Sequence, residues 1–63
     1  MNLKKFKGFM AAKGISQKEL ANLLDISVAS VSLKVNNKQP FTLSQIQKIC
    51  KAYSISADAY FLD

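Results

Sequence analysis

The sequence predicts an all-α chain folded as a compact five-helix bundle. Two observations carry that expectation. Apolar residues recur at three- and four-residue spacing from Leu3 onward, the mark of helices with one buried face. Four of the five apolar runs are preceded by Ser or Thr in the position of an N-cap, at Ser16, Ser27, Thr42 and Ser56.

In the first helix, Leu3 to Lys13, Leu3, Phe6, Phe9 and Met10 form a stripe flanked by Lys4, Lys5 and Lys7. Gly14 ends it, where a left-handed residue is needed. Ile15 stands before Ser16 and is expected to staple against Leu20. Ser16 with Glu19 makes a predicted capping box, and Leu20, Ala21, Leu23 and Leu24 supply the apolar face of the second helix. Asp25-Ile26-Ser27 interrupts, and Ser27 is placed to cap a third helix running through Val31 to about Val35. Asn36 to Pro40 is a loop, because Asn tolerates a left-handed cap and Pro40 blocks helix continuation. Thr42 with Gln45 is a second capping box, opening a fourth helix with the stripe Leu43, Ile46, Ile49, Cys50 and Tyr53. Ser56 caps a last short helix, Ala57 to about Leu62.

The chain has 63 residues, which is expected to make one domain with little stability to spare. The single cysteine, Cys50, cannot form an internal disulfide and is expected to be a small buried hydrophobe in a reducing, cytoplasmic setting. No apolar run approaches the roughly 18 residues that span a bilayer, and no signal peptide is legible, so a membrane partner is not expected. Catalysis fails on inventory: with no His, one Cys and only Glu19, Asp25, Asp58 and Asp63 as acids, neither an acid–base pair nor a metal cluster is within reach. No Gly-rich phosphate loop exists, and neither a cofactor nor a small-molecule ligand is expected. The net charge of +5 favours a polyanionic partner, although a solvated basic surface gives the same number. Every cation is Lys, which suits phosphate better than the bidentate reading of guanine.

Ser16 to Asn36 holds the most informative pattern: a short helix, a tight turn and a second short helix, the grammar that places one helix in the DNA major groove. A helical hairpin serving only as core is the bland alternative. Against it, only Val31 and Val35 of the third helix read as buried, so Val28, Ala29, Ser30, Ser32, Leu33 and Lys34 are expected to face outward. Gln17, Lys18, Lys34 and Lys38 stand at helix starts and loops beside that face, where phosphates are met.

Several linked motifs then sharpen the reading. Gln17, Glu19-Leu20-Ala21, Ile26-Ser27, Val31-Ser32-Leu33, Asn36-Asn37-Lys38 and the closing Ser54 to Phe61 resemble, in that order, the helix-turn-helix family of phage repressors and Cro proteins, also called the Xre family. The resemblance runs from Phe6 to Phe61 and implies a lambda-repressor-like DNA-binding domain with the helix-turn-helix at helices two and three. Where the family usually carries Gly, this chain has Asp25 and Asn37, the residue types that best tolerate a left-handed backbone. The resemblance implies base contacts from Val28, Ala29, Ser32 and Leu33, where relatives often place Arg, Gln or Asn. Apolar groups there suit thymine methyls, so T-rich half-sites are expected. The expected phosphate contacts are Gln17, Lys18, Ser27, Asn36, Lys38 and Gln39. The resemblance also implies a homodimer on an operator in double-stranded DNA. Ala57, Tyr60, Phe61 and Leu62 carry more apolar area than the core is expected to absorb, so Phe61 and Tyr60 are assigned to the core, and Leu62, part of Tyr60 and Ile55 are the candidate dimer contact.

Two rival readings use the same residues. The apolar face Val28, Ala29 and Leu33 would suit a protein groove, as in an antitoxin or anti-repressor. A lysine-only cation set would also permit a non-specific DNA coat.

Overall fold

A computed structural model describes residues 3–61 of the chain. It contains five helices, α1 (Leu3–Lys13), α2 (Gln17–Leu24), α3 (Val28–Val35), α4 (Leu43–Tyr53) and α5 (Ala57–Tyr60), and no strand among the described residues.

One corner joins these helices three times. At Gly14-Ile15-Ser16, Asp25-Ile26-Ser27 and Ser54-Ile55-Ser56 a left-handed residue (φ 70°, 57° and 55°) is followed by Ile and then by the N-cap of the next helix. In each, the Ile amide donates to the carbonyl five residues back: Ile15 to Met10 at 2.8 Å, Ile26 to Ala21 at 3.1 Å and Ile55 to Cys50 at 3.1 Å. This closure satisfies a helix-end carbonyl that would otherwise be orphaned, and the three isoleucines pack against the core. The left-handed backbone anticipated at Asp25 and Asn37 is present, and Ser54 adds a third non-glycine example.

The core is built from Phe6, Leu20, Val31, Ile49 and Phe61, all fully or almost fully buried. Phe6 is its hub: ring centroids lie 4.9 Å away at Phe61, 6.2 Å at Phe41, and 6.4 Å at both Phe9 and Tyr60. One side chain of α1 thereby holds the end of the chain and the α3–α4 connection in place. These stacked, edge-to-face and tilted pairs add to the area they bury.

Four expectations change. Glu19 does not close a capping box: Ser16 Oγ accepts from the Glu19 amide at 3.0 Å, but the Glu19 carboxylate accepts instead from the Tyr53 hydroxyl at 3.0 Å. A tertiary partner on α4 has won over the local one. Leu43 is 71% exposed although it extends the α4 stripe, because it occupies the first turn of α4 while buried Phe41 fills the neighbouring core. The last helix ends at Tyr60, with Phe61 as its C-cap turned into the core; Leu62 lies outside the described residues. Lys34 does not face outward; it is buried against the α3–α4 connection. The Thr42–Gln45 capping box is present in both directions, at 3.0 and 3.1 Å. Cys50 is half-buried against the core, and burial pushes its thiol pKa up.

Partial burial, the hydrogen bond to Glu19 and the charge of that carboxylate together push the Tyr53 phenol up to about 12. Its folded pKa therefore lies above the unfolded value of about 10, so this contribution is complete below pH ~10 and is lost as pH rises towards 12. Tyr53→Phe is expected to lower stability at neutral pH by up to about 1 kcal/mol. Urea melts should also show less loss of stability between pH 10 and 12 for the variant than for the parent chain. Parallel curves across that range would contradict the link.

Candidate nucleic-acid interface

Why α3 turns this face outward follows from its two neighbours. Val31 and Val35, four residues apart, are buried on the side that meets α2 and α1. The opposite side carries Ala29 and, one turn later, Leu33, with Ser32 on the flank; Val28 continues the Val31 stripe and is left exposed as the first residue of the helix. Val28 is 46% exposed and Leu33 40%; Ala29 is exposed and Ser32 half-buried. Three of the four candidate base contacts therefore lie on the open side and flank of α3, and Val28 at its exposed start. Ser27 starts that helix, its Oγ accepting from the Ser30 amide at 3.1 Å and lying 3.0 Å from the Ser30 hydroxyl.

The exit from α3 repeats the corner closure with one change. Asn37 is left-handed at φ 61°, and the Lys38 amide donates to the Leu33 carbonyl at 2.8 Å, joined by the Gln39 amide at 3.3 Å. The residue that is Ile at the other corners is Lys38 here. An apolar anchor has been exchanged for an exposed cation beside α3.

Lys34 is the correction among the cations. Its side chain is only 9% exposed, and its ammonium donates to the Pro40 carbonyl at 2.9 Å. The long stem reaches across the connection and satisfies a backbone acceptor that the loop leaves open, so Lys34 braces the loop and is not presented to a ligand.

The candidate phosphate contacts fall into two groups. Lys18, Ser27, Lys38 and Gln39 are exposed at the start of α2, the start of α3 and the following loop. Gln17, half-buried, and Asn36, exposed, are brought together around a shallow hollow of about 300 Å³ between α1, the start of α2 and the end of α3. That hollow includes Lys7, whose ammonium donates to Asn36 Oδ1 at 2.6 Å. No local motif marks Lys7 in the sequence; it joins this region only through the packing of α1 on α3. Ile55 and Tyr60, the described members of the candidate dimer contact, are half-buried and pack against the core. Among the described residues no three His, Cys, Asp or Glu side chains are grouped to hold a metal, and no helix is long and apolar enough to cross a membrane.

Two eight-residue helices meeting at a three-residue corner, the second of them presenting one side to solvent, define a helix-turn-helix protein. Comparison with known families makes this more specific. The chain belongs to the Cro/C1-type helix-turn-helix DNA-binding domain family, whose model matches residues 5–58. Neither a curated protein nor a solved structure matches the chain.

Proposed function

We propose that the chain is a sequence-specific transcriptional regulator of phage, prophage or bacterial origin that works in the cytoplasm without a cofactor or small-molecule ligand. A homodimer occupies an operator with α3 of each protomer in the major groove and so keeps polymerase off a promoter. The carrying observation is the outward side of α3, where Val28, Ala29, Ser32 and Leu33 stand clear of the core with exposed Lys18 and Lys38 on the adjoining segments. Small and apolar side chains let the helix approach the groove floor and contact thymine methyls. The lysines and the free amides at helix starts supply sequence-independent attraction to the backbone.

Selection of bound sites from a random duplex library at near-physiological salt tests this. The expected result is a twofold-symmetric, T-rich site with half-sites about 10 base pairs apart. Recovery of unselected DNA alone would remove sequence reading. The exposed apolar pair Val28 and Leu33 would then favour the second reading, a protein-interaction module such as an antitoxin or anti-repressor.

A further inference from the structure

We propose that Lys34, a buried residue, sets the affinity for DNA from inside the fold: it is the positioning residue that holds the exit loop of α3 so that Lys38 meets the duplex. The proposal deepens the DNA-binding reading above and rests on it.

The exit loop lacks the anchor that the other corners have. After the left-handed residues Gly14, Asp25 and Ser54 comes an Ile packed against the core. After Asn37 comes Lys38, and from Asn36 to Pro40 every residue is exposed, so no side chain of the loop is buried before Phe41. The backbone still closes onto the helix end, with the Asn37 amide on the Lys34 carbonyl at 3.1 Å and the Lys38 and Gln39 amides on the Leu33 carbonyl.

Lys34 supplies the missing hold from the helix side. It is the only buried charged side chain among the described residues, and its ammonium crosses to the Pro40 carbonyl, six residues on, at 2.9 Å. Lys38 and Gln39 stand between two tied points, the Leu33 carbonyl on α3 and the Pro40 carbonyl at the far end of the loop. Stability alone does not ask for the second tie. Pro40 is exposed, so water can satisfy its carbonyl, and burying an ammonium costs more than burying an apolar side chain of similar length. What the tie adds is a fixed span between α3 and Pro40, and with it a fixed place for Lys38 beside the outward side of α3.

The test is a double-variant cycle on the full chain: the parent, Lys34→Met, Lys38→Ala and both together. Affinity for a duplex of the selected site is measured across a range of salt, with thermal melts alongside. Lys34→Met keeps a long stem and removes the donor. It is expected to melt at or above the temperature of the parent while binding the duplex several-fold more weakly, a pairing that a merely structural brace would not give. Removing one lysine–phosphate interaction lowers the slope of log K against log salt by about 0.9. Lys34→Met is expected to lose a large part of that amount in the parent and none once Lys38 is gone. Amide hydrogen exchange at Lys38 and Gln39 should quicken in the variant while α2 and α4 keep their protection. Should Lys34→Met not melt cooperatively, Lys34→Gln takes its place in the cycle. Equal weakening with and without Lys38 would overturn the positioning role, because a lost charge or a loosened fold acts in both backgrounds. Unchanged binding by Lys34→Met would overturn it as well. An unchanged slope for Lys38→Ala, beside specific binding by the parent, would remove the contact that Lys34 places and leave the DNA-binding reading intact. Absence of duplex binding by the parent chain would overturn both the proposal and the reading on which it rests.

Discussion

Phe6→Ala is expected to leave the chain largely unfolded at room temperature. The side chain is completely buried and its ring meets four others, two of them at the end of the chain. Truncating a buried Phe costs about 3–5 kcal/mol. A chain of 63 residues has in total only about 3–9 kcal/mol of stability. The loss is therefore comparable with everything the fold has. Far-ultraviolet circular dichroism with urea titration checks this: helical signal should be mostly gone before denaturant is added. Phe6→Leu, which keeps most of the volume, should fold with a lower melting temperature. A cooperative transition for the alanine variant close to that of the parent would show that Phe6 is not the hub.

Leu33→Glu is expected to abolish specific DNA binding without unfolding the chain. Leu33 is half-exposed, so the fold loses little when it changes. In the groove, a carboxylate would face the negative field of the duplex, and such like-charge juxtaposition costs several kcal/mol. That corresponds to a fall of about 100-fold or more in affinity. Fluorescence anisotropy on a labelled duplex of the selected site measures it, with the melting curve as control. Leu33→Ala should do less, a several-fold loss with relaxed preference at one base position. Binding by Leu33→Glu at the parent's affinity would place α3 outside the groove.

The all-α architecture was legible because local signals agree with the tertiary outcome: every Ser or Thr read as an N-cap accepts from an amide of its helix's first turn. The misreadings share one cause. Glu19, Leu43 and Lys34 each fit a local rule, and each was decided by surroundings that the rule does not include: Tyr53 34 residues away, the exposed first turn of α4, and the Pro40 carbonyl across a loop. The outward side of α3 could be deduced because burial of Val31 and Val35 leaves the opposite side to solvent. Lys7 could not, since its link to Asn36 spans 29 residues and follows only from how α1 lies on α3. Gly14-Ile15, Asp25-Ile26 and Ser54-Ile55 each precede a serine cap, but three different residue types fill the left-handed position. The shared corner therefore shows in the residue names only as the recurring Ile-Ser pair, while the left-handed position is common to the three in backbone angle alone.

That repeated corner also shapes how the chain reaches its native state. Each of the three joints is sealed by a hydrogen bond across six consecutive residues, so α1–α2, α2–α3 and α4–α5 can each find their bend without waiting for the rest of the molecule. Loop closure at such short separations is fast and entropically mild. What remains are the slower long-range steps, the packing of α2 on α4 and the docking of Phe6 against Phe41 and Phe61. A helical domain whose corners form locally is expected to fold rapidly, because local contacts shorten the search. For a DNA-binding domain, that means a short delay between synthesis and a binding-competent state.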